Sequence, residues 1–85
     1  MKEFEYIITD EVGLHARPAG LLVKMVKPMT SSVILYANGK TADATKIIAI
    51  MSLGLKKGET VKVRLEGIQE EHESEQLRRF FAKIL

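Results

Sequence analysis

Residues 13–19 read GLHARPA, and they mark the point where the sequence changes from a strand pattern to a helix pattern. Before this stretch, apolar residues stand at every second position from Phe4 to Ile8, which predicts a strand with one buried face. A helical period runs from Ala16 to Lys27, and Pro18 suits its first turn because an N–H there has no helical partner. The apolar face of this helix consists of Ala19, Leu22, Val23 and Val26.

The remaining sequence predicts five further elements in one domain spanning residues 1–85. In chain order they are a strand over 32–36, a strand over 40–43, a short helix over 46–53, a strand over 60–66 and a helix over 70–85. Asn38-Gly39 predicts a tight hairpin turn between the first two of these, and Gly54 is expected to close the short helix. The order β-α-β-β-α-β-α predicts an α+β fold in which a sheet packs against three helices.

The composition excludes several classes of protein. The chain has 85 residues, no cysteine and two histidines, His15 and His72, so neither disulfides nor a thiolate zinc site is available. The sequence contains no apolar run of membrane-spanning length, and its first residues are too acidic for a signal peptide. We expect a cytoplasmic monomer that needs no metal or cofactor and does not insert into a membrane.

The positive charge is concentrated in one part of the chain. The net charge is only +2, yet residues 16–57 contain seven lysine or arginine residues and one aspartate. The polar face of the first helix contains Arg17, Gly20, Leu21, Lys24 and Lys27. This stripe of bases predicts a surface for an acidic partner, although such a block can also be ordinary solvated surface.

The second helix has more apolar residues than one helical face can bury. These residues are Ile47, Ile48, Ile50, Met51 and Leu53. Some of them are therefore expected to face water or a partner, next to the basic stripe. The alternative is a helix buried in a small core, and the pattern alone favours neither.

His15 is the candidate reactive residue because of its neighbours. A neutral imidazole nitrogen can attack phosphorus, and a helix N-terminus favours an anion. The N–H groups of Ala16 and Arg17 would meet the charge on phosphoryl oxygens, and the Arg17 guanidinium could bind two of them. His72 lies among glutamates, and we interpret it as part of a solvated helix start.

Three sequence runs resemble one family, the histidine-containing phosphocarrier (HPr) family of the bacterial sugar phosphotransferase system. They are GLHARPA at 13–19, NGKT at 38–41 and IMSLGL at 50–55, and the resemblance covers nearly the whole chain. It implies an open-faced β-sandwich, in which four antiparallel strands are covered on one face by three helices.

The resemblance also implies a function. By this likeness, His15 accepts phosphate on Nδ1 from phosphorylated enzyme I and passes it to the enzyme IIA domain of a sugar transporter, with assistance from Arg17. Such a protein is a carrier used stoichiometrically, and not an enzyme. The positions that match the family's partner surface are Pro18, Gly20, Leu21, Lys24, Lys27, Ile47, Ile48 and Met51.

Lys46 departs from the family pattern, because many relatives have at this position a serine that a dedicated kinase phosphorylates. Thr45 stands one position away, and we expect it to cap the second helix. An alternative function is a regulator or carrier in a nitrogen-linked or other non-sugar branch. The element order also resembles the RNA-recognition motif, but the glycine-aromatic strand motif is absent, and we expect no nucleic-acid partner.

Overall fold

The computed structural model describes residues 1–85 and contains a four-stranded sheet and three helices. The elements are β1 (Lys2–Ile7), α1 (Ala16–Val26), β2 (Ser32–Ala37), β3 (Lys40–Asp43), α2 (Ile47–Met51), β4 (Thr60–Glu66) and α3 (Glu70–Ile84). This is the predicted order, so the element types inferred from periodicity are confirmed. None of the helices combines the length and the apolar character needed to cross a membrane.

The last strand in the sequence lies in the interior of the sheet. All pairings are antiparallel, and the spatial order is β1-β4-β2-β3. Val63 of β4 lies opposite Phe4 of β1 on one side and opposite Leu35 of β2 on the other. Leu35 in turn lies opposite Ala42 of β3, and all four side chains of this row are buried. The row forms part of the single hydrophobic core beneath the helices.

The opposite face of the sheet is polar and uncovered, which confirms the open-faced arrangement. Arg64 follows Val63 and is half-buried on this face, where its Nε lies 2.6 Å from Glu3 Oε2. Its guanidinium also lies 4.9 Å from the centre of the Tyr36 ring. The hydrogen bond from Arg64 lowers the pKa of the Glu3 carboxyl below its usual value.

Helix α3 is anchored on β1 by aromatic side chains. Phe81 is fully buried and packs edge-on against Phe4 and Tyr6, with ring centroids 5.9 and 5.6 Å apart. Such edge-to-face pairs add to the free energy gained from burying the rings. The contacts hold the end of α3 beside the end of β1.

Helix α2 is shorter than predicted, since it covers Ile47–Met51 and not 46–53. After Met51 the hydrogen bonds join residues three positions apart, as in a 3₁₀ turn. Leu53 N–H donates to Ile50 O at 3.1 Å, and Gly54 N–H donates to Met51 O at 3.2 Å. Gly54 then adopts the left-handed conformation expected of it, with φ of 64°.

Glu73 is a buried anchor within a helix start that was predicted to be solvated. His72 is exposed as expected, but Glu73 is only 5% exposed. Its carboxylate accepts the backbone N–H groups of Thr30 and Ser31, both at 2.9 Å, and thereby ties α3 to the loop between α1 and β2. Burial by itself raises the pKa of Glu73, but hydrogen bonds from Ser31 and Thr30 outweigh it and the pKa lies below its ordinary 4.5.

We expect Glu73→Gln to lower the free energy of unfolding at pH 7 by about 1.5–3 kcal/mol, because an amide oxygen cannot accept both backbone N–H groups as a carboxylate does. The lowered pKa of Glu73 stabilises the native state fully above pH 4.5, and this stabilisation is lost as the pH falls through the folded-state value. The difference between wild type and variant should therefore shrink at pH 3, as measured by urea unfolding.

Glu71→Gln is the matched control, because the neighbouring Glu71 side chain is 86% exposed and forms only a surface ion pair with Lys2. Its effect should stay within about 0.5 kcal/mol. Equal effects of the two variants at pH 7 would show that Glu73 is not an anchor.

Candidate functional site

The segment that leads from β1 to His15 is tied to the end of α3. The backbone N–H groups of Thr9 and Asp10 donate to the carbonyl oxygen of Leu85 at 2.6 and 2.8 Å, and the Thr9 hydroxyl donates to the same atom at 2.8 Å. Leu85 is itself buried in the core. Three donors on one acceptor set the distance between this segment and the last turn of α3.

The residues just before His15 are held against the loop that precedes β4. Leu14 is buried and its N–H donates to Leu55 O at 3.1 Å. Gly13 has a φ of 81°, and a Cβ atom at this position would lie 2.4 Å from Leu55 O. A glycine is required here for both reasons, its left-handed backbone and its close approach to Leu55.

His15 is the N-cap of α1, and its ring is free of hydrogen bonds. Its backbone is extended, and its side chain makes no capping bond to the helix. The first helical bond runs from Ala19 N–H to His15 O at 3.0 Å. The N–H groups of Ala16 and Arg17 donate to no protein acceptor, and both residues are exposed. Two free donors therefore lie at the helix end beside an unconstrained imidazole.

His15 is half-buried and not fully exposed, because it lies in a depression between α1 and α3. The depression has a volume of about 230 Å³. Its lining consists of Asp10, His15, Arg17, Pro18, Leu21, Lys83 and Ile84. Reasoning from the sequence missed Asp10, Lys83 and Ile84, since no local motif connects the end of the chain with residues 13–18.

The basic stripe predicted on α1 is exposed and lines a shallow groove. The groove is lined by Ala16, Arg17, Gly20, Leu21, Val23, Lys24 and Lys27. Arg17, Lys24 and Lys27 form no ion pair within the chain. Their charges are thus available to an external anion or an acidic surface.

Helix α2 combines the two alternatives that its sequence left open. Ile50 and Leu53 are buried, whereas Ile48 is 74% exposed and Ile47 and Met51 also face outward. The two helices meet where a Cβ atom at Gly20 would lie 3.8 Å from Ile47 Cδ1. The exposed apolar residues of α2 therefore adjoin the basic groove of α1.

The structure bears on two further expectations, those for Pro18 and Thr45. Pro18 lines the depression and is buried, which limits the area it can offer a partner. Thr45 does not cap α2, because Lys46 occupies the N-cap position. The Lys46 side chain makes no capping hydrogen bond. The Thr45 hydroxyl instead donates to Asp43 Oδ1 at 2.7 Å, and this bond, with the Thr45 N–H, lowers the pKa of Asp43.

Comparison with known proteins identifies the family. A family model described as the PTS HPr component phosphorylation site matches residues 2–83. The chain belongs to the HPr family. HPr proteins are phosphocarriers of the phosphotransferase system, and this general role applies to the chain.

Individual relatives agree in sequence and in structure. The phosphocarrier protein HPr of Mycoplasma capricolum is 37% identical over 67 residues, which are 79% of this chain and 75% of that protein. The crystal structure of HPr-C-His from Thermoanaerobacter tengcongensis has a TM-score of 0.89 and 36% identity, and the match covers 96% of this chain and 92% of that one. Crh, the Bacillus subtilis catabolite repression protein described as a swapped dimer, has a TM-score of 0.76 and 31% identity, with 98% and 95% covered.

We expect Gly13→Ala to destabilise the chain by about 1–3 kcal/mol more than Gly54→Ala, because only the first substitution adds a steric clash. Both glycines have positive φ, but no atom lies within 4 Å of a Cβ placed at Gly54. Urea unfolding of both variants measures the difference, and the amide resonance of His15 should shift in the first variant alone. Equal costs would indicate that the approach to Leu55 relaxes freely.

Proposed function

We propose that this chain carries a phosphoryl group on His15, accepts it from phosphorylated enzyme I and passes it to enzyme IIA domains of sugar transporters. The single observation that supports this most strongly is the unbonded His15 ring beside the free N–H groups of Ala16 and Arg17. The proposal makes the protein a stoichiometric carrier that is regenerated by each transfer.

In the transfer step, a neutral ring nitrogen of His15 attacks phosphorus while the bond from phosphorus to the donor breaks. The proton on the other ring nitrogen stays in place as the new nitrogen–phosphorus bond forms. Charge on the phosphoryl oxygens meets the two N–H groups and the Arg17 guanidinium. Transfer to the next acceptor reverses the same step, so His15 returns to its free form.

We propose that the partners dock on the groove of α1 and the exposed side of α2. The exposed Leu21, Ile47, Ile48 and Met51 supply apolar contact area, and Lys24 and Lys27 supply unpaired charge beside it. Such a combination suits an acidic partner surface with an apolar centre. Arg17 borders both the groove and the depression, so a docked partner would meet His15 directly.

Lys46 is exposed at the start of α2, next to this docking surface. We propose that this chain is not subject to the serine phosphorylation that regulates many relatives, because lysine cannot accept that modification. Lysine also places a positive charge where a phosphoserine would place nearly two negative ones. The adjacent Thr45 hydroxyl is engaged by Asp43 and offers no ready replacement.

A second candidate function is regulation, or phosphate transfer in a non-sugar branch, and the likeness to Crh favours it. The presence of His15 with free helix N–H groups favours the carrier role. Phosphoryl transfer to sugar-specific enzyme IIA domains, compared with transfer to a nitrogen-linked acceptor, separates these functions.

Enzyme I and labelled phosphoenolpyruvate should place one acid-labile, base-stable phosphoryl group on the wild-type chain. His15→Ala should abolish the label without altering the urea midpoint, since the ring makes no hydrogen bond. Arg17→Ala should slow labelling roughly 10- to 100-fold, because the helix N–H groups remain. His72→Ala is the control and should be labelled fully. Label retained in the His15 variant would refute the assignment.

Ile48→Asp and Lys24→Glu should each weaken the complex with enzyme I at least about fivefold in calorimetry, because one disrupts the apolar contact and the other the charge. Lys46→Ser should weaken it about twofold to fivefold, and Lys46→Arg should not. The charge effects should diminish toward 1 M salt, where the screening length is about 3 Å.

Two controls lie away from the docking surface. Ile68 is 95% exposed in the turn before α3, so Ile68→Asp matches Ile48→Asp in chemistry. Arg79→Glu matches Lys24→Glu, since Arg79 is exposed and unpaired on α3. Equal losses in the controls and the test variants would place the docking surface elsewhere.

A further inference from the structure

Lys83 is a second cation in the depression that holds His15. It stands in the last turn of α3, remote from His15 in sequence, and it is one of the residues that line the depression, together with Arg17. The remaining lining residues are Asp10, which is acidic, and three apolar residues. The residues that line the depression with His15 thus include two basic residues and one acidic residue.

The ammonium group of Lys83 has no partner in the chain. Lys83 is exposed and takes part in no ion pair and no side-chain hydrogen bond. Some cations elsewhere are neutralised, since Lys57 pairs with Glu11 and Arg64 pairs with Glu3. Among the unpaired cations, only Arg17 and Lys83 line this depression. Their charge is therefore available to an anion bound beside His15.

The structure also fixes the backbone position of Lys83. Phe81 and Leu85, on either side of it, are buried in the core. The carbonyl oxygen of Leu85 holds the N–H groups of Thr9 and Asp10 at 2.6 and 2.8 Å. The backbone of Lys83 is consequently held beside the segment that leads to His15, while its long side chain can adjust to a ligand.

We propose that Lys83 is a second phosphoryl-binding residue, after Arg17. The opposite charges of Lys83 and Asp10 together set the free energy of the phosphorylated His15 site, and so the equilibrium for phosphoryl transfer from it. This inference rests on the proposed phosphocarrier function. Lys83 makes and breaks no covalent bond. The nitrogen–phosphorus bond forms on His15 as the donor's bond to phosphorus breaks, and the Lys83 ammonium attracts the resulting dianion.

Asp10 has the opposite effect, because its carboxylate repels the same dianion. One of its oxygens, Oδ1, accepts the Val12 N–H at 2.8 Å and so shapes the turn before Gly13. Asn at position 10 can keep that acceptor oxygen while removing the charge. Removing the charge of Lys83 and removing the charge of Asp10 should therefore shift the phosphoryl-transfer equilibrium in opposite directions, without a change of fold.

The test is the equilibrium distribution of phosphoryl groups between enzyme I and this chain, measured with dilute proteins so that most molecules are unbound. Docking affinity then cancels, and the ratio reports only the free energy of the phosphorylated site. Lys83→Gln should shift the distribution toward phosphorylated enzyme I by about three- to tenfold, and Lys83→Glu further. Lys83→Arg should restore the wild-type ratio, and Asp10→Asn should shift it toward phosphorylated His15.

Arg79→Gln is the matched control, because Arg79 lies one turn earlier on α3, is exposed and unpaired, and does not line the depression. The phosphoryl distribution of Arg79→Gln should equal that of the wild type. The shift caused by Lys83→Gln should shrink in 1 M salt. If the wild type is labelled but Lys83→Gln and Arg79→Gln give equal ratios, the role of Lys83 is overturned while the proposed function stands. A wild type that accepts no phosphate at His15 would overturn the proposed function, and this inference with it.

Discussion

Strand β4 is the constraint on which the rest of the structure depends, because it is hydrogen-bonded to a neighbour on each side. It pairs with β1 and β2 in antiparallel register, and Val61, Val63 and Leu65 on its inner face are fully buried. Edge strand β1 has no other strand partner. A change that displaced β4 would therefore separate β1 from the sheet and remove the support of α3.

The same strand determines where the reactive end of the molecule forms. The loop that enters β4 accepts Leu14 N–H on Leu55 O, and Gly58 and Glu59 continue the pairing with Ile8. The chain between β1 and α1 is thus fixed at both ends, with the buried Leu85 as a third anchor. Rigid support from several elements lets α1 begin with an unconstrained histidine and two unpaired N–H groups, which a loop without such anchors could not hold in place.

The chain pairs some of its cations with carboxylates and leaves others unpaired. On the open face of the sheet, Arg64 is paired with Glu3 and stacked near Tyr36, so its charge is neutralised within the chain. Around the site, Arg17, Lys24 and Lys83 remain unpaired. The small net charge of +2 does not reveal which cations are unpaired. A positive field near His15 favours both an acidic partner and a phosphoryl group, and salt should weaken both effects.

The sequence by itself determined the element types, since period-2 and period-3.6 patterns are local properties, and Asn38-Gly39 specified its turn. It also located His15 at a helix start, because the GLHARPA run contains the histidine, the arginine and the proline together. Strand order, the buried anchor role of Glu73 and the meeting of Asp10 and Lys83 with His15 were decided only by the tertiary structure. The physical reason is that these contacts join residues far apart in the chain, and their partners are selected by core packing, which leaves no periodic signal at the positions themselves.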